Sequence, residues 1–254
     1  MHPEVDQYAF LVSPIHKMDP RLKILSLLIV AFSFAWLKTP FFSSIALLFS
    51  FSLIIISHLP LGFVIKRLGH IMLFLVPFFF FLPLTVPGET LFSFLRFHVT
   101  YQGLQLALLL FLKGIAIVLL IFPMLATQPF HYTIKAIEKL GMPIKLVWML
   151  AFAYRYLFVA LGELRNMRLN LRARGFVSKN NFFTLKILGN LVGTILIRSL
   201  ERTERIQRAM IARGFNGKIE ILNSFKAKRV DFFKALVILF IGLFISFGEF
   251  FWKR

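Results

Sequence analysis

The chain alternates between long apolar stretches and short polar ones. About 20 residues are needed to cross the hydrocarbon layer of a bilayer as a helix. The stretches at 103–126 and 232–252 are that long, so they predict transmembrane helices. Apolar residues dominate seven stretches in all: 23–38, 41–57, 70–86, 103–126, 144–162, 183–200 and 232–252.

The first two stretches are short and are separated only by Thr39 and Pro40. We predict a tight hairpin of two helices there, with Pro40 in the first turn of the second helix, where a missing N–H costs nothing. Asp19 followed by Pro20 predicts the start of the first helix, because aspartate caps helix N-termini and proline fits the first helical position.

Composition supports an integral membrane protein. The 254 residues are 58% hydrophobic, include 33 Phe and are only 16% charged, compared with roughly 25% charged residues in soluble domains. An ordinary soluble core cannot hide so many apolar side chains. The chain has no cysteine, which excludes disulfides, thiolate metal sites and a cysteine nucleophile.

Basic residues predict which side of the membrane each loop occupies. Cytoplasmic loops are enriched in Lys and Arg, so we place the N-terminus, with Lys17, Arg21 and Lys23, in the cytoplasm. Two crossings then return the chain at 58–69, and two more, with 87–89 outside, return it again. The net charge of +19 also suits nucleic acid, but no nucleic-acid motif is present, so we expect no such partner.

The stretches at 144–162 and 183–200 do not fit this alternation. If both crossed the bilayer, residues 163–181 would be a strongly basic loop outside the cell. We therefore predict long helices that pack from the cytoplasmic side without crossing. Their cations are Arg155 within the first stretch, Arg165, Arg168, Arg172, Arg174 and Lys179 between the two, and Lys186 and Arg198 around the second. The predicted fold class is an all-α membrane protein with about five transmembrane helices plus these long cytoplasmic-side helices.

A short motif occurs twice in the basic region. The sequence Arg-Ala-Arg-Gly-Phe ends at Phe176, and Ile-Ala-Arg-Gly-Phe ends at Phe215, 39 residues later. Gly175 and Gly214 each follow a helical stretch, as expected of a glycine that stops a helix. In one interpretation, Arg174 and Arg213 merely complement the helix dipole. In the other, each helix presents an Arg fork that enters a groove on a partner and pairs with its carboxylates.

Several kinds of functional site are missing from the sequence. No Walker motif is present, no acidic residue lies deep in an apolar stretch, and no His pair has metal-ligand spacing. These gaps oppose ATP binding by this chain, ion-coupled transport and metal-dependent catalysis. We expect no catalytic residue, no metal ligand and no cofactor, and we expect Lys113, in the stretch at 103–126, to face protein or a polar pocket.

With these motifs in place, the sequence resembles the transmembrane T component of energy-coupling factor (ECF) transporters, most closely the cobalt/nickel-type branch. The resemblance extends over nearly the whole chain, and the repeated Arg-Gly signature is its most specific part. The residues that carry it are Met1 to Glu4, Asp6, Tyr8, Ala9, Ser13, Pro14, His16, Asp19 to Arg21, Lys23, Tyr154 to Tyr156, Arg172 to Phe176, Glu201, Arg202, Ala209, Met210, Ala212 to Phe215 and Gly217.

The resemblance implies a non-catalytic subunit that works with three partner proteins in the lipid bilayer of the cytoplasmic membrane. A membrane S component captures the substrate, and two ATPase subunits hydrolyse ATP. It also implies that the two signatures, Ala173-Arg174-Gly175 and Ala212-Arg213-Gly214, end coupling helices and dock into grooves of the ATPases.

The predicted organisation has three regions, of which the N-terminus and the middle region are cytoplasmic. Residues 1–126 hold the first transmembrane helices, 127–230 the coupling helices and 231–254 a final transmembrane helix. Three other functions remain as alternatives: a self-contained permease or channel, a membrane-embedded enzyme, and the T component of a vitamin-type ECF transporter.

Overall fold

The computed structural model describes residues 8–94, 97–215 and 227–252, with side chains left out for 90–99. Within these residues the regular secondary structure is helical except for one short hairpin of two antiparallel strands, which the sequence did not predict. The predicted all-α class is confirmed. The helices are α1 (Pro20–Ala35), α2 (Pro40–Ile56), α3 (Leu61–Thr85), α4 (Tyr101–Leu125), α5 (Phe130–Lys139), α6 (Ile144–Ala173), α7 (Phe182–Ala212) and α8 (Arg229–Trp252), and the strands are β1 (Thr90–Phe94) and β2 (Phe97–Thr100).

The chain forms two compact units. One consists of residues 1–142 and 225–254, and the other of residues 143–224. The first contains α1 to α5 and α8, and the second contains α6 and α7. The three regions predicted from the sequence were defined by which helices cross the membrane. The two units do not test this, so the regions stay a prediction.

Local sequence sets the starts of α1 and α2, as predicted. Asp19 caps α1, its side chain accepting from the backbone N–H of Arg21 at 2.9 Å, and Pro20 takes the first helical position. Pro40 likewise opens α2.

The predicted hairpin has the short connection expected between α1 and α2, but its two helices pack mainly on other helices. Helix α1 packs mainly on α8 and α4, and α2 packs mainly on α4. One buried cluster joins these helices through residues such as Val30, Phe34, Leu53 and Leu120. Burial against helices that are distant in sequence stabilises α1 and α2 more than mutual contact does.

Helix α3 begins at Leu61, nine residues before the predicted apolar stretch. Lys66 and Arg67, predicted to lie in a loop, therefore belong to its second turn. The apolar stretch marked only the part of the helix without charged side chains.

Five of the described helices are long and apolar enough to cross a membrane: α3, α4, α6, α7 and α8. The number agrees with the prediction, but the set differs, because α1 and α2 have only 16 and 17 residues. Length and composition do not separate spanning helices from coupling helices. That α6 and α7 stay on the cytoplasmic side rests on their charges and stays a prediction.

Two charged side chains hold the connection between α1 and α2. The Nζ atom of Lys113, from the middle of α4, donates to the carbonyl oxygens of Ala35 at 2.9 Å and Leu37 at 3.3 Å. The carboxylate of Glu249, on α8, accepts from the backbone N–H of Lys38 at 2.8 and 3.0 Å. A cation at the end of α1 also complements the helix dipole. The expectation that Lys113 faces protein is confirmed.

The close contact between α8 and α1 predicts a sharp difference between two glycine substitutions. A Cβ atom at Gly242 would lie 2.5 Å from Cγ2 of Val30, whereas a Cβ at Gly69, on α3, has no neighbour within 4 Å. We expect Gly242→Ala to reduce stability by about 1–3 kcal/mol through overpacking, and Gly69→Ala to leave it equal or higher because alanine favours helices. Thermal unfolding of the purified chain in detergent measures both. Equal melting temperatures for the two variants would contradict the packing.

Candidate functional site

The first signature ends α6 in a complete Schellman motif. Gly175 has the left-handed φ of 78°. Its N–H donates to the carbonyl oxygen of Arg172 at 3.0 Å, and the N–H of Phe176 donates to that of Leu171 at 3.0 Å. These two bonds satisfy carbonyl groups that the end of a helix leaves open. Arg174 is the C-cap residue, with φ −85° and ψ 12°.

The second signature ends α7 in the same way. Gly214 has a φ of 79°, and its N–H donates to the carbonyl oxygen of Ile211 at 2.9 Å. The N–H of Phe215 donates to the carbonyl oxygen of Met210 at 3.0 Å. Arg213 is the C-cap residue, with φ −90° and ψ 10°. The repeated sequence therefore builds the same backbone twice, and the predicted helix stops at both glycines are confirmed.

The glycine and the arginine of each signature have different structural roles. Glycine is needed for its positive φ, since no atom lies within 4 Å of a Cβ built at Gly175 or Gly214. The caps themselves are made by backbone N–H groups. Arg174 and Arg213 are exposed, and neither guanidinium makes a hydrogen bond or ion pair with any described residue. The side chains of Arg174 and Arg213 therefore do not contribute to ending the helices.

The small neighbours predicted to belong to the site share this exposure. Ala173 and Ala212 are the last helical residues, and both are exposed together with the glycines that follow. Each Arg therefore stands between two residues that cannot cover it. The second signature has one further contact, between the rings of Phe215 and Trp148, whose centroids are 5.5 Å apart.

An ion pair that the sequence analysis missed joins α6 to α7. The guanidinium of Arg202 donates to the carboxylate of Glu163, and both side chains are half-buried. Together with the contact between Trp148 and Phe215, the pair shows that α6 and α7 run antiparallel. The two signatures therefore lie at opposite ends of the helix pair.

Each member of the ion pair lies at the same distance in sequence from the signature Arg of its own helix. Glu163 lies 11 residues before Arg174, and Arg202 lies 11 residues before Arg213. At 1.5 Å per residue, each signature Arg is about 16 Å along its helix from the pair. The paired residues are thus related by the same 39-residue offset as the signatures, and this offset is the signal in the sequence that points to them.

His16, which precedes α1, has both ring nitrogens occupied. Its Nε2 donates to the carbonyl oxygen of Tyr8 at 3.0 Å, and its Nδ1 lies 2.7 Å from the hydroxyl of Ser13. Burial is the main cause that lowers the pKa of His16 and favours its neutral form. These contacts give the imidazole a structural role. His2 lies outside the described residues.

Comparison with known proteins supports the resemblance drawn from the sequence. The family model of the cobalt transport protein CbiQ matches residues 12–222, a range that contains both signatures. An energy-coupling factor transporter transmembrane protein, EcfT, of Exiguobacterium sibiricum is 30% identical over 74% of this chain and 78% of its own.

Two further relatives cover more of the chain. The EcfT protein of Heliobacterium modesticaldum is 26% identical over 83% of each chain. An uncharacterized protein of Methanocaldococcus jannaschii is 30% identical over 97% of this chain and 91% of its own. The chain is a multi-pass membrane protein and belongs to the CbiQ family of cobalt transport proteins.

Proposed function

We propose that this chain is the non-catalytic coupling subunit of an ATP-driven ECF-type uptake transporter. It links two ATPase subunits to a membrane S component that captures the substrate. Family membership and the names of the EcfT relatives support a transport role for the membrane subunit. The feature of the chain that carries the proposal is the pair of congruent helix ends.

Each helix end presents an exposed Arg whose side chain makes no hydrogen bond or ion pair with any described residue. Guanidinium groups bind carboxylates through two parallel hydrogen bonds, and they tolerate partial burial better than ammonium groups. Two identical helix ends suit two similar ATPase subunits, each with an acidic groove. We therefore assign Arg174 and Arg213 to ATPase binding, with Ala173, Gly175, Ala212 and Gly214 leaving room for the groove walls.

The antiparallel arrangement of α6 and α7 fits this role. The two helix ends point in opposite directions, so two ATPase subunits can bind without competing for the same space. The ion pair between Glu163 and Arg202 fixes one helix on the other midway between the signatures. A movement of either ATPase is then passed to the other along a single connected element.

The transported substrate is cobalt or nickel ion in this proposal, supported by the description of the matching family. Uptake of labelled cobalt and nickel by vesicles that contain the complete complex tests it. We expect uptake of one of these ions to require both ATP and the S component. Uptake of a vitamin, with no uptake of either metal, would instead assign the chain to a vitamin-type transporter.

A self-contained permease or channel is the second candidate. It predicts substrate flux through vesicles that contain this chain alone, without ATP. Helices α3 and α4 contain no Asp or Glu, and those of α8, Asp231 and Glu249, lie near its two ends. A permease driven by protons or cations needs carboxylates deep within the membrane. We therefore expect no flux from the chain alone.

The proposed orientation places the N-terminus and both signatures in the cytoplasm, and it predicts the accessibility of a single cysteine. Ser178 is exposed in the connection between α6 and α7, and the native chain has no cysteine. We expect Ser178→Cys to react with an impermeant maleimide only after cells are opened. Labelling from outside intact cells would show that α6 crosses the bilayer.

A further inference from the structure

A groove between α3 and α4 combines two basic side chains with an apolar wall. Its volume is about 470 Å³, within the roughly 300–1,000 Å³ that small-molecule sites occupy. Arg67 and His70 lie on its α3 side. The remaining lining residues are apolar: Ile71, Val118, Ile121 and Phe122.

The two basic side chains are held in place by their neighbours. The guanidinium carbon of Arg67 lies 4.9 Å from the centre of the Phe63 ring. That ring packs on Tyr8 and Phe122, with centroid distances of 4.6 and 6.0 Å. The Nδ1 atom of His70 donates to the carbonyl oxygen of Lys66 at 2.9 Å, which leaves its Nε2 atom for another partner.

No carboxylate neutralises these groups from the helices that form the groove. Neither α3 nor α4 contains an Asp or Glu, and Arg67 makes no ion pair with any described residue. A cation next to apolar surface, without a protein counterion, attracts an anion that carries an apolar tail. Free inorganic anions lack the tail that the wall would contact.

The surrounding surface is suited to lipid. Only Val64 and Pro83 of α3 are buried. Most side chains of this long apolar helix are therefore at least partly exposed on the surface of the first unit. Arg67 and His70 lie within three turns of its start at Leu61. Basic pockets between membrane helices are typical sites for anionic lipid headgroups.

We propose that the groove binds one glycerophospholipid whose headgroup carries a net negative charge. Its phosphodiester oxygens accept hydrogen bonds from the Arg67 guanidinium and from Nε2–H of His70 in its doubly protonated form, since Nδ1–H already donates to the Lys66 carbonyl. One acyl chain lies against Ile71, Val118 and Ile121. The site does not depend on the proposed transport function, since it uses only residues of α3 and α4.

Native mass spectrometry of the full chain in detergent tests the site with two lipids that share the same chains, dioleoylphosphatidylglycerol and dioleoylphosphatidylcholine. We expect the native chain to retain one phosphatidylglycerol in preference to phosphatidylcholine. Arg67→Gln should reduce its retention about tenfold, the effect of losing a charge-assisted hydrogen bond to the phosphate. His70→Phe keeps a ring, removes the donor and should reduce retention independently of Arg67.

Lys66→Gln is the matched control. Lys66 is exposed, carries the same charge one residue away and does not line the groove, so we expect retention to be unchanged. Equal loss in Lys66→Gln and Arg67→Gln, or equal retention of the two lipids, would overturn the site. Displacement of the lipid by glycerol 3-phosphate alone would also overturn it, since the acyl chain would then contribute nothing.

Discussion

We expect Arg174→Ala combined with Arg213→Ala to abolish ATP-driven uptake by the proposed transporter while the chain remains folded in the membrane. The fold is expected to persist because backbone N–H groups cap both helices and neither guanidinium bonds to a described residue. Substitutions at such exposed positions usually change stability by less than about 0.5 kcal/mol. In the complex, each Arg would pair with a carboxylate in a desolvated groove, and its removal costs roughly 2–5 kcal/mol of association.

The size of the loss in uptake distinguishes a coupling role of the two Arg residues from a helix-capping role. An exposed capping Arg contributes only about 0.3–1 kcal/mol, which leaves uptake nearly unchanged. We expect each single Arg→Ala change to weaken ATPase binding and the double change to be worse than either. Arg→Lys should also fail in large part, because an ammonium group cannot make the two parallel hydrogen bonds of a guanidinium.

Arg165→Ala combined with Arg168→Ala is the control for lost charge. Both residues are exposed on α6 and, like the signature residues, bond to no described residue. We expect uptake and ATPase binding to be retained. If the two double variants assemble and transport equally well, Arg174 and Arg213 have no coupling role and the capping interpretation stands.

Reversing the charge of Glu163 is expected to uncouple ATP hydrolysis from uptake without releasing the ATPases. Glu163→Arg places a second cation against Arg202, so α6 and α7 separate where they are now paired. The signatures themselves stay intact and still bind. Because each signature Arg is about 16 Å along its helix from the pair, even a small change of angle displaces both helix ends. The measurement is the number of ions taken up per ATP hydrolysed.

The reversed pair provides the rescue. Glu163→Arg combined with Arg202→Glu restores opposite charges and should recover most of the coupling ratio. The control is Glu204→Arg with Arg208→Glu, an exposed pair within α7 whose atoms are 3.3 Å apart. Exposed pairs contribute about 0.2–1 kcal/mol at most, so this swap should leave coupling unchanged. Failure of the Glu163 and Arg202 swap to improve on Glu163→Arg would show that the pair does not set the geometry.

Local features of the fold were predictable because local chemistry decides them. Asp19, Pro20 and Pro40 set helix starts, and Gly175 and Gly214 set helix stops, through interactions within a few residues. The partners of α1 were not predictable in this way. Ser33 bonds to Ser246 at 2.6 Å, and Val30 lies against Gly242. Contacts between residues more than 200 positions apart leave no local signal in the sequence.

The residues of the candidate site were predictable from the sequence, but their arrangement in space was not. The repeat identified Arg174 and Arg213, because identical residues recur in the same order. It did not reveal that the helices run antiparallel or that Glu163 meets Arg202, since pairing across helices depends on how α6 and α7 pack. Apart from its 39-residue offset to Arg202, nothing in the sequence alone distinguishes Glu163 from the other acidic residues of this basic region. Its partner gives it a specific position.

Counting the subunits that accompany this chain tests the central proposal most directly. The chain, tagged and purified from its native membrane in mild detergent, is weighed intact by native mass spectrometry. We expect a complex with two ATPase subunits and one small membrane protein per chain, and loss of ATPase mass when Arg174→Ala and Arg213→Ala are combined. Isolation of the chain alone, or of an assembly of its own copies that transports without an ATPase, would contradict the account.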